Sequence, residues 1–192
     1  KNILDFQGKP MIAWSIEAAL ETGIFESVLV STDDEEIAKI SQDYGAEVPF
    51  LREENADDHS TVSQATLSAL IQMESYSQHQ YATIVQLMAN CPLRSANSIT
   101  KQVLVFEKSN ERHSLLSGMK YGMFNPWWAH IKSEELSYKK LFLEIQTNTR
   151  SQDLGQLICP SGATWISSSE KLKSTKTFYS DNYSFFELNW KE

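Results

Sequence analysis

The sequence predicts an α/β protein: a mostly parallel, doubly wound sheet with helices on both faces. Three observations predict it. Short apolar runs alternate with amphipathic helical patterns through the first half of the chain. Those runs are continuous rather than alternating, as in strands covered on both faces. The length, 192 residues, suits a single domain with one large core.

The elements follow in order. Pro10 opens the first helix, at a position where its missing N–H costs nothing. Ile12, Ile16, Ala19 and Leu20 recur at helical spacing, and Gly23 is the stop. Val28-Leu29-Val30 is a short parallel strand. Thr32 or Asp33 caps the next helix, which has acidic residues in its first turn, Ile37 and Ile40 inside, and Gly45 at its end. Glu47 to Phe50 is another strand, and 51–60 is a polar loop. A helix from about Thr61 to Tyr76 carries Ala65, Leu67, Leu70 and Met73. Ile84 to Leu87 is the third strand, closed by Pro92-Leu93-Arg94. Ser98 to Lys108 is a helix with Ile99, Val103 and Phe106 inward.

After Glu111 the rhythm breaks. Ser114 to Tyr121 is a strand, followed by Phe124, Trp127 and Trp128 around Pro126 and then irregular polar sequence to Asp153. Residues from about 112 to 160 read as an excursion within a single domain spanning 1–192. Two readings stand: a dimerisation or lid segment packed on a second subunit, or a long loop folded back on its own domain. Residues 163–167 form a strand, 169–173 a short helix, and Tyr183 to Leu188 a last strand.

The net charge of −8 disfavours nucleic acid and anionic membranes as partners. It leaves room for a small anionic ligand, which needs only two or three converging cations. No apolar run approaches the ~20 residues of a membrane span. Cys91 and Cys159 are far apart and have no CxxC partner, so they read as reduced thiols of a cytoplasmic protein, with one disulfide as the alternative. His59, His79, His113 and His130 show no metal spacing.

In open α/β sheets, ligands bind beyond the carboxyl ends of the strands. This directs attention to the residues before the first helix, the Ser31 to Asp34 turn, the Asn90 to Arg94 turn, and the stretch before residue 163. Lys1, Asn2, Arg52, Arg94 and Arg150 lie in or near these places. Converging cations there suit a polyphosphate or a carboxylate.

Lys1-Asn2-Ile3, Gly8-Lys9-Pro10 and the run Val30 to Ala38 resemble the acylneuraminate cytidylyltransferases. These enzymes activate sialic, pseudaminic and legionaminic acids. The resemblance continues through Tyr44 to Arg52, Pro92-Leu93-Arg94, Asn148 to Leu154, and Ser161-Gly162-Ala163-Thr164-Trp165-Ile166, in the family's order over nearly the whole chain. It implies a nucleotide-diphospho-sugar transferase-like, Rossmann-like fold. It also implies a homodimer that couples CTP to a nine-carbon 2-keto sugar acid with Mg2+, releasing CMP-sugar and pyrophosphate.

Residue by residue, the resemblance places Lys1 on the nucleotide phosphates and Asn2 and Arg52 at the nucleotide. Thr61 falls among small hydroxyl residues near the nucleotide, and equally at a helix N-cap, the reading favoured here. Arg150, with Gln152 beside it, falls near the sugar acid, where a bidentate pair with its carboxylate is natural. Lys1 and Arg150 are the catalytic candidates. Met88, Ser161 and Trp165 fall at sugar positions, and Phe178 and Tyr179 at aromatics given across the dimer. Core packing is the alternative for the three aromatics. Met88 replaces a glutamine of the sialate enzymes, which points to a differently decorated sugar. Asp33 and Asp34 read as helix-cap residues. The family also has a hydrophobic strand and phosphate loop expected before Lys1, and an aspartate-rich strand with the metal ligands expected after Glu192. A non-catalytic sugar-nucleotide-binding or dimerisation module is the alternative function.

Overall fold

The computed structural model describes residues 1–54, 60–109, 113–133, 137–146 and 148–189. The chain opens with a two-residue ladder, β1 (Asp5–Phe6) against β2 (Lys9–Pro10), turned at Gln7 and Gly8, both at positive φ. Helix α1 (Met11–Glu21) follows directly from Pro10. Its buried face is Ile12, Ala13, Ile16 and Ala19, whereas Leu20 is 42% exposed and lies outside the core.

The two strands expected at Val28–Val30 and Glu47–Phe50 shrink to one parallel bridge, Leu29 to Glu47. Glu47 N donates to the Val28 carbonyl at 2.8 Å, and Val30 N to the Glu47 carbonyl at 3.0 Å. Their direction is as expected, but the 28–30 segment has no ladder partner on its other edge among the described residues. Two segments paired only with each other are marginally stable as a sheet.

Helix α2 (Glu35–Asp43) is capped by Asp34, not by Thr32 or Asp33. The Asp34 carboxylate accepts from Glu36 N and Ile37 N at 2.8 and 3.0 Å. Thr32 is buried and spends its hydroxyl on Asp34 N. The helix ends where Gly45 takes φ +92, a conformation that any side chain would strain. Helix α3 (Val62–Ser77) leads to β3 (Thr83–Leu87), and α4 (Ala96–Lys108) begins two residues earlier than expected because Ser95 is its cap.

β4 (Ser114–Lys120) enters the excursion, which holds a 3-10 turn at Pro126–Trp128 and a small hairpin of β5 (His130–Lys132) and β6 (Tyr138–Lys140). A second 3-10 turn, Ser151–Asp153, precedes β7 (Ile158–Ser168), α5 (Ser169–Thr175) and β8 (Tyr183–Glu187). Trp127 packs edge-on against Phe142 at 5.0 Å and donates its indole N–H to the Gly155 carbonyl. The excursion is therefore tied to itself. Met123, Phe124 and Leu143 stand more than 80% exposed on it.

The main sheet has the order β3-β7-β4-β8. β3, β4 and β8 run one way, and β7 runs against them between β3 and β4. The common direction expected of the strands holds for β3, β4 and β8, and β7 is the exception, making both antiparallel ladders. β7 follows the excursion, which returns the chain from the end where β4 leaves, so it pairs antiparallel. Helices cover both faces. Phe106, Leu115 and Ile166 are the core under α4, and Leu116, Leu172 and Phe178 the core under α3 and α5. A third cluster, around Ile12, Ile16 and Ala46, joins α1 to α2.

Candidate active site

The site begins with an irregularity in β7. Leu116 of β4 faces Trp165, and two residues later Gly118 faces Pro160. Ser161, Gly162, Ala163 and Thr164 therefore stand opposite Ser117 alone and form an arch. Three side chains hold it. Ser117, fully buried, accepts from Thr164 N at 2.9 Å and donates to the Ser161 carbonyl at 3.1 Å, with the Ser161 hydroxyl 2.8 Å away. The Met88 thioether lies on Gly162, so close that a Cβ there would meet Sδ at 2.2 Å. Gly118 is needed beside the arch for the same reason: its Cβ would meet Ile158 at 2.5 Å and Phe185 at 3.0 Å.

The third is Arg94, 4% exposed. It donates to the Ala163 carbonyl of the arch, to Ser15 Oγ of α1 at 2.7 Å and to the Met88 carbonyl at 3.0 Å. Ser15 in turn donates to the Met88 carbonyl at 3.1 Å. One side chain thus joins α1, the exit of β3 and β7. Burial pulls the Arg94 guanidinium down to about 10, against a smaller upward pull from Cys91. It stays charged at neutral pH.

A cavity of about 540 Å³ opens beside this corner. Residues 27–33 line one side and 83–89 the other, with α1 and α3 above and below. Asn2, Asp33, Arg52 and Met88 all line it. The Asn2 carbonyl accepts from Ile12 N at 2.8 Å, which fixes the opening residues on α1. Arg52 N donates to the Thr32 carbonyl at 2.8 Å, while its guanidinium stands 3.8 Å from Asp33 Oδ1. Arg52 Nε is buried and has no partner among the described residues.

Asn2, Arg52 and Met88 thus come together, and Ser161 and Trp165 lie in or beside the arch on the adjoining strand. Lys1 is exposed next to Asn2. Trp165 donates its indole N–H to the Ser161 carbonyl at 2.8 Å and packs against Phe178 and Tyr179. Tyr179 is 41% exposed. Burial raises its phenol above the usual value, with Tyr183 and Cys159 adding to the rise, so it remains a hydroxyl donor at neutral pH.

Other expected residues stand apart. Phe178 is 0% exposed between Leu116 and Leu172, so the packing role replaces the ligand role expected of it. Thr61 is bound into a capping box: its hydroxyl accepts from Gln64 N, and its own N–H donates to Gln64 Oε1. It lines a second depression with Trp165 and Tyr179, away from Asn2 and Arg52. Arg150 is exposed and makes a two-bond pair with Asp153 at 2.8 and 3.1 Å, and Gln152 lies exposed in the same turn. Sequence reasoning missed Ser15, Ser117 and the fork of Arg94. The adjacent Ser117-Gly118 in a strand was the available signal. Among the described residues no group of three or more His, Cys, Asp or Glu side chains is placed to hold a metal ion. Asp34 is spent as a cap and Asp33 faces Arg52, so neither carboxylate is free to hold one.

The family model described as Cytidylyltransferase matches residues 1–189. The chain belongs to the cytidylyltransferase family. Pseudaminic acid cytidylyltransferase of Campylobacter jejuni (strain 81-176) is 33% identical to this cytidylyltransferase over 98% of its length and 80% of the relative's. CMP-N,N'-diacetyllegionaminic acid synthase of Legionella pneumophila is 28% identical over 94% of the chain and 76% of that relative. Among solved structures, CMP:2-keto-3-deoxy-manno-octonic acid synthetase complexed with CTP superposes with a TM-score of 0.68. That match has 14% identity and covers 98% of this chain and 83% of the other, so it speaks for the fold. The α/β nucleotidyltransferase fold expected from the sequence is the one found.

Proposed function

We propose that this cytidylyltransferase couples CTP to a sialic-acid-like nonulosonate, a nine-carbon 2-keto sugar acid, to give CMP-sugar and pyrophosphate. The observation that carries this reading is the match over 98% of the chain to a pseudaminic acid cytidylyltransferase. The anomeric hydroxyl of the sugar attacks the α-phosphorus of CTP. A new P–O bond forms as the hydroxyl proton passes to solvent, the α–β phosphoanhydride breaks, and pyrophosphate carries the electron pair away. Such chemistry is positioning and charge neutralisation.

In this reading Lys1 meets the phosphates, and Asn2 and Arg52 hold the nucleotide. The unpartnered Arg52 Nε supports that role. Met88, Ser161, Trp165 and Tyr179 frame the sugar. Arg150 takes the sugar carboxylate by exchanging it for Asp153, with which it already forms a fork. Met88 gives an apolar wall where an amide would hydrogen-bond, in keeping with a sugar other than N-acetylneuraminate.

Further parts of the proposal rest on the resemblance. Mg2+ is the metal that the resemblance implies. The exposed apolar residues of the excursion, Met123, Phe124 and Leu143, support a homodimer. Among the described residues no helix is long and apolar enough to cross a membrane. Both cysteines are free, in keeping with the reduced thiols of a cytoplasmic protein.

The test is nucleotide titration of the full-length protein, followed by pyrophosphate release on a nonulosonate panel. CTP should bind at least about tenfold tighter than UTP or GTP, a gap of about 1.4 kcal/mol. Tight binding without release on any sugar would favour the non-catalytic module instead.

A further inference from the structure

Arg94 is buried at 4% exposure, yet the described residues supply it no carboxylate partner. Its hydrogen bonds go to two carbonyls and one hydroxyl, all neutral, and its Nε makes none. Burying an unpaired charge costs several kcal/mol. Neutral donors would serve the same carbonyls with less penalty. The charge itself therefore needs an explanation, and its place provides one. Ser15 and Met88, which Arg94 touches, both line the cavity shared with Asn2 and Arg52. The guanidinium is one residue behind that wall.

We propose that Arg94 is a positioning residue of this site: a fixed positive charge behind the Ser15–Met88 wall whose counter-charge arrives with the anionic ligand. The inference rests on the reading of the site as one for CTP and a sugar acid. Arg94 does not touch the ligand. It acts through the Met88 carbonyl and Ser15, whose positions it sets, and through its field, which a low-dielectric wall transmits better than water does. The anion is either a CTP phosphate or the sugar carboxylate, and the experiment separates them.

The full-length protein is compared with Arg94→Lys, which keeps the charge without the fork, and Arg94→Met, which removes the charge. Calorimetric affinities are measured for CTP, CDP, CMP and cytidine, and KM for the sugar acid. With a phosphate as the partner, Arg94→Met weakens CTP by about tenfold or more, CDP and CMP progressively less, and cytidine not at all. Arg94→Lys restores CTP affinity to within about threefold and lowers kcat more than affinity. With the carboxylate as the partner, the nucleotide series is flat, and only the sugar KM rises in Arg94→Met and returns in Arg94→Lys. A loss that is equal for all four nucleotides, cytidine included, and that lysine does not rescue would overturn the inference, as would no loss at all. Should Arg94→Met fail to fold, Arg94→Gln, which keeps neutral donors, is read in its place. A wild type that does not bind CTP refutes the proposed function and takes this inference with it. A wild type that binds CTP, with neither the nucleotide affinities nor the sugar KM changed in Arg94→Met, refutes this inference alone.

Discussion

Replacing Ser117 with alanine tests whether a single hydroxyl sustains the arch. Ser117 is fully buried, and in the interior every lost hydrogen bond is felt. The change leaves Thr164 N–H with no acceptor where it had one at 2.9 Å. An orphaned buried donor costs about 1–3 kcal/mol. The Ser161 carbonyl loses its donor at 3.1 Å but keeps the Trp165 indole N–H at 2.8 Å, so that loss adds only about 0.5 kcal/mol. The volume removed is one oxygen, and no cavity term is added. The sum is about 1.5–3.5 kcal/mol. At about 2–4 °C per kcal/mol for a domain of this size, Tm falls by roughly 3–14 °C. Urea unfolding at equilibrium measures it, with Ser114→Ala as a control. Ser114 is equally buried, but its hydroxyl has one bond, to Ser167 Oγ at 3.2 Å, so its loss should cost only about 1 kcal/mol. A Ser117→Ala cost below about 0.5 kcal/mol, or one no larger than that of Ser114→Ala, would refute the reasoning.

Three further outcomes are expected. Thr61→Ala should destabilise by about 1 kcal/mol through its lost cap while leaving the KM for CTP unchanged; a KM rise without a stability loss would return Thr61 to the nucleotide site. Arg150→Ala should raise the KM for the sugar acid more than that for CTP in steady-state assays, and an equal effect on both would contradict its assignment. Trp127→Ser removes the indole contacts to Phe142 and Gly155 that tie the excursion together. Solution scattering should then show a weakened dimer, and an unchanged one would take the excursion out of the interface.

Much of the fold was legible because its signals are local. Pro10, the apolar spacing of α1, and the Thr61–Gln64 box lie within a few residues of what they control. The Val28–Val30 run has strand composition, but the extent of a ladder depends on the partner segment, and composition does not supply it. The antiparallel β7 was hidden because strand direction depends on where the excursion brings the chain back. In the site, motif residues such as Asn2, Arg52 and Met88 were found one by one, and their convergence needed the fold. Arg94 was visible only as a cation in a turn. Its bonds to Ser15 and Ala163 span 79 and 69 residues of sequence, beyond any local pattern. Phe178 illustrates the opposite error: its residue type fits a sugar platform and a core equally well, and burial decided for the core.

The central claim is a bond between a cytidine phosphate and a sugar. Phosphorus NMR of the full-length protein with CTP, Mg2+ and a panel of nonulosonates observes that bond as it forms. The account predicts a new phosphodiester resonance rising together with pyrophosphate, one of each per CTP consumed, for at least one sugar. CTP binding with no phosphodiester for any sugar, or pyrophosphate released alongside free CMP alone, would contradict it.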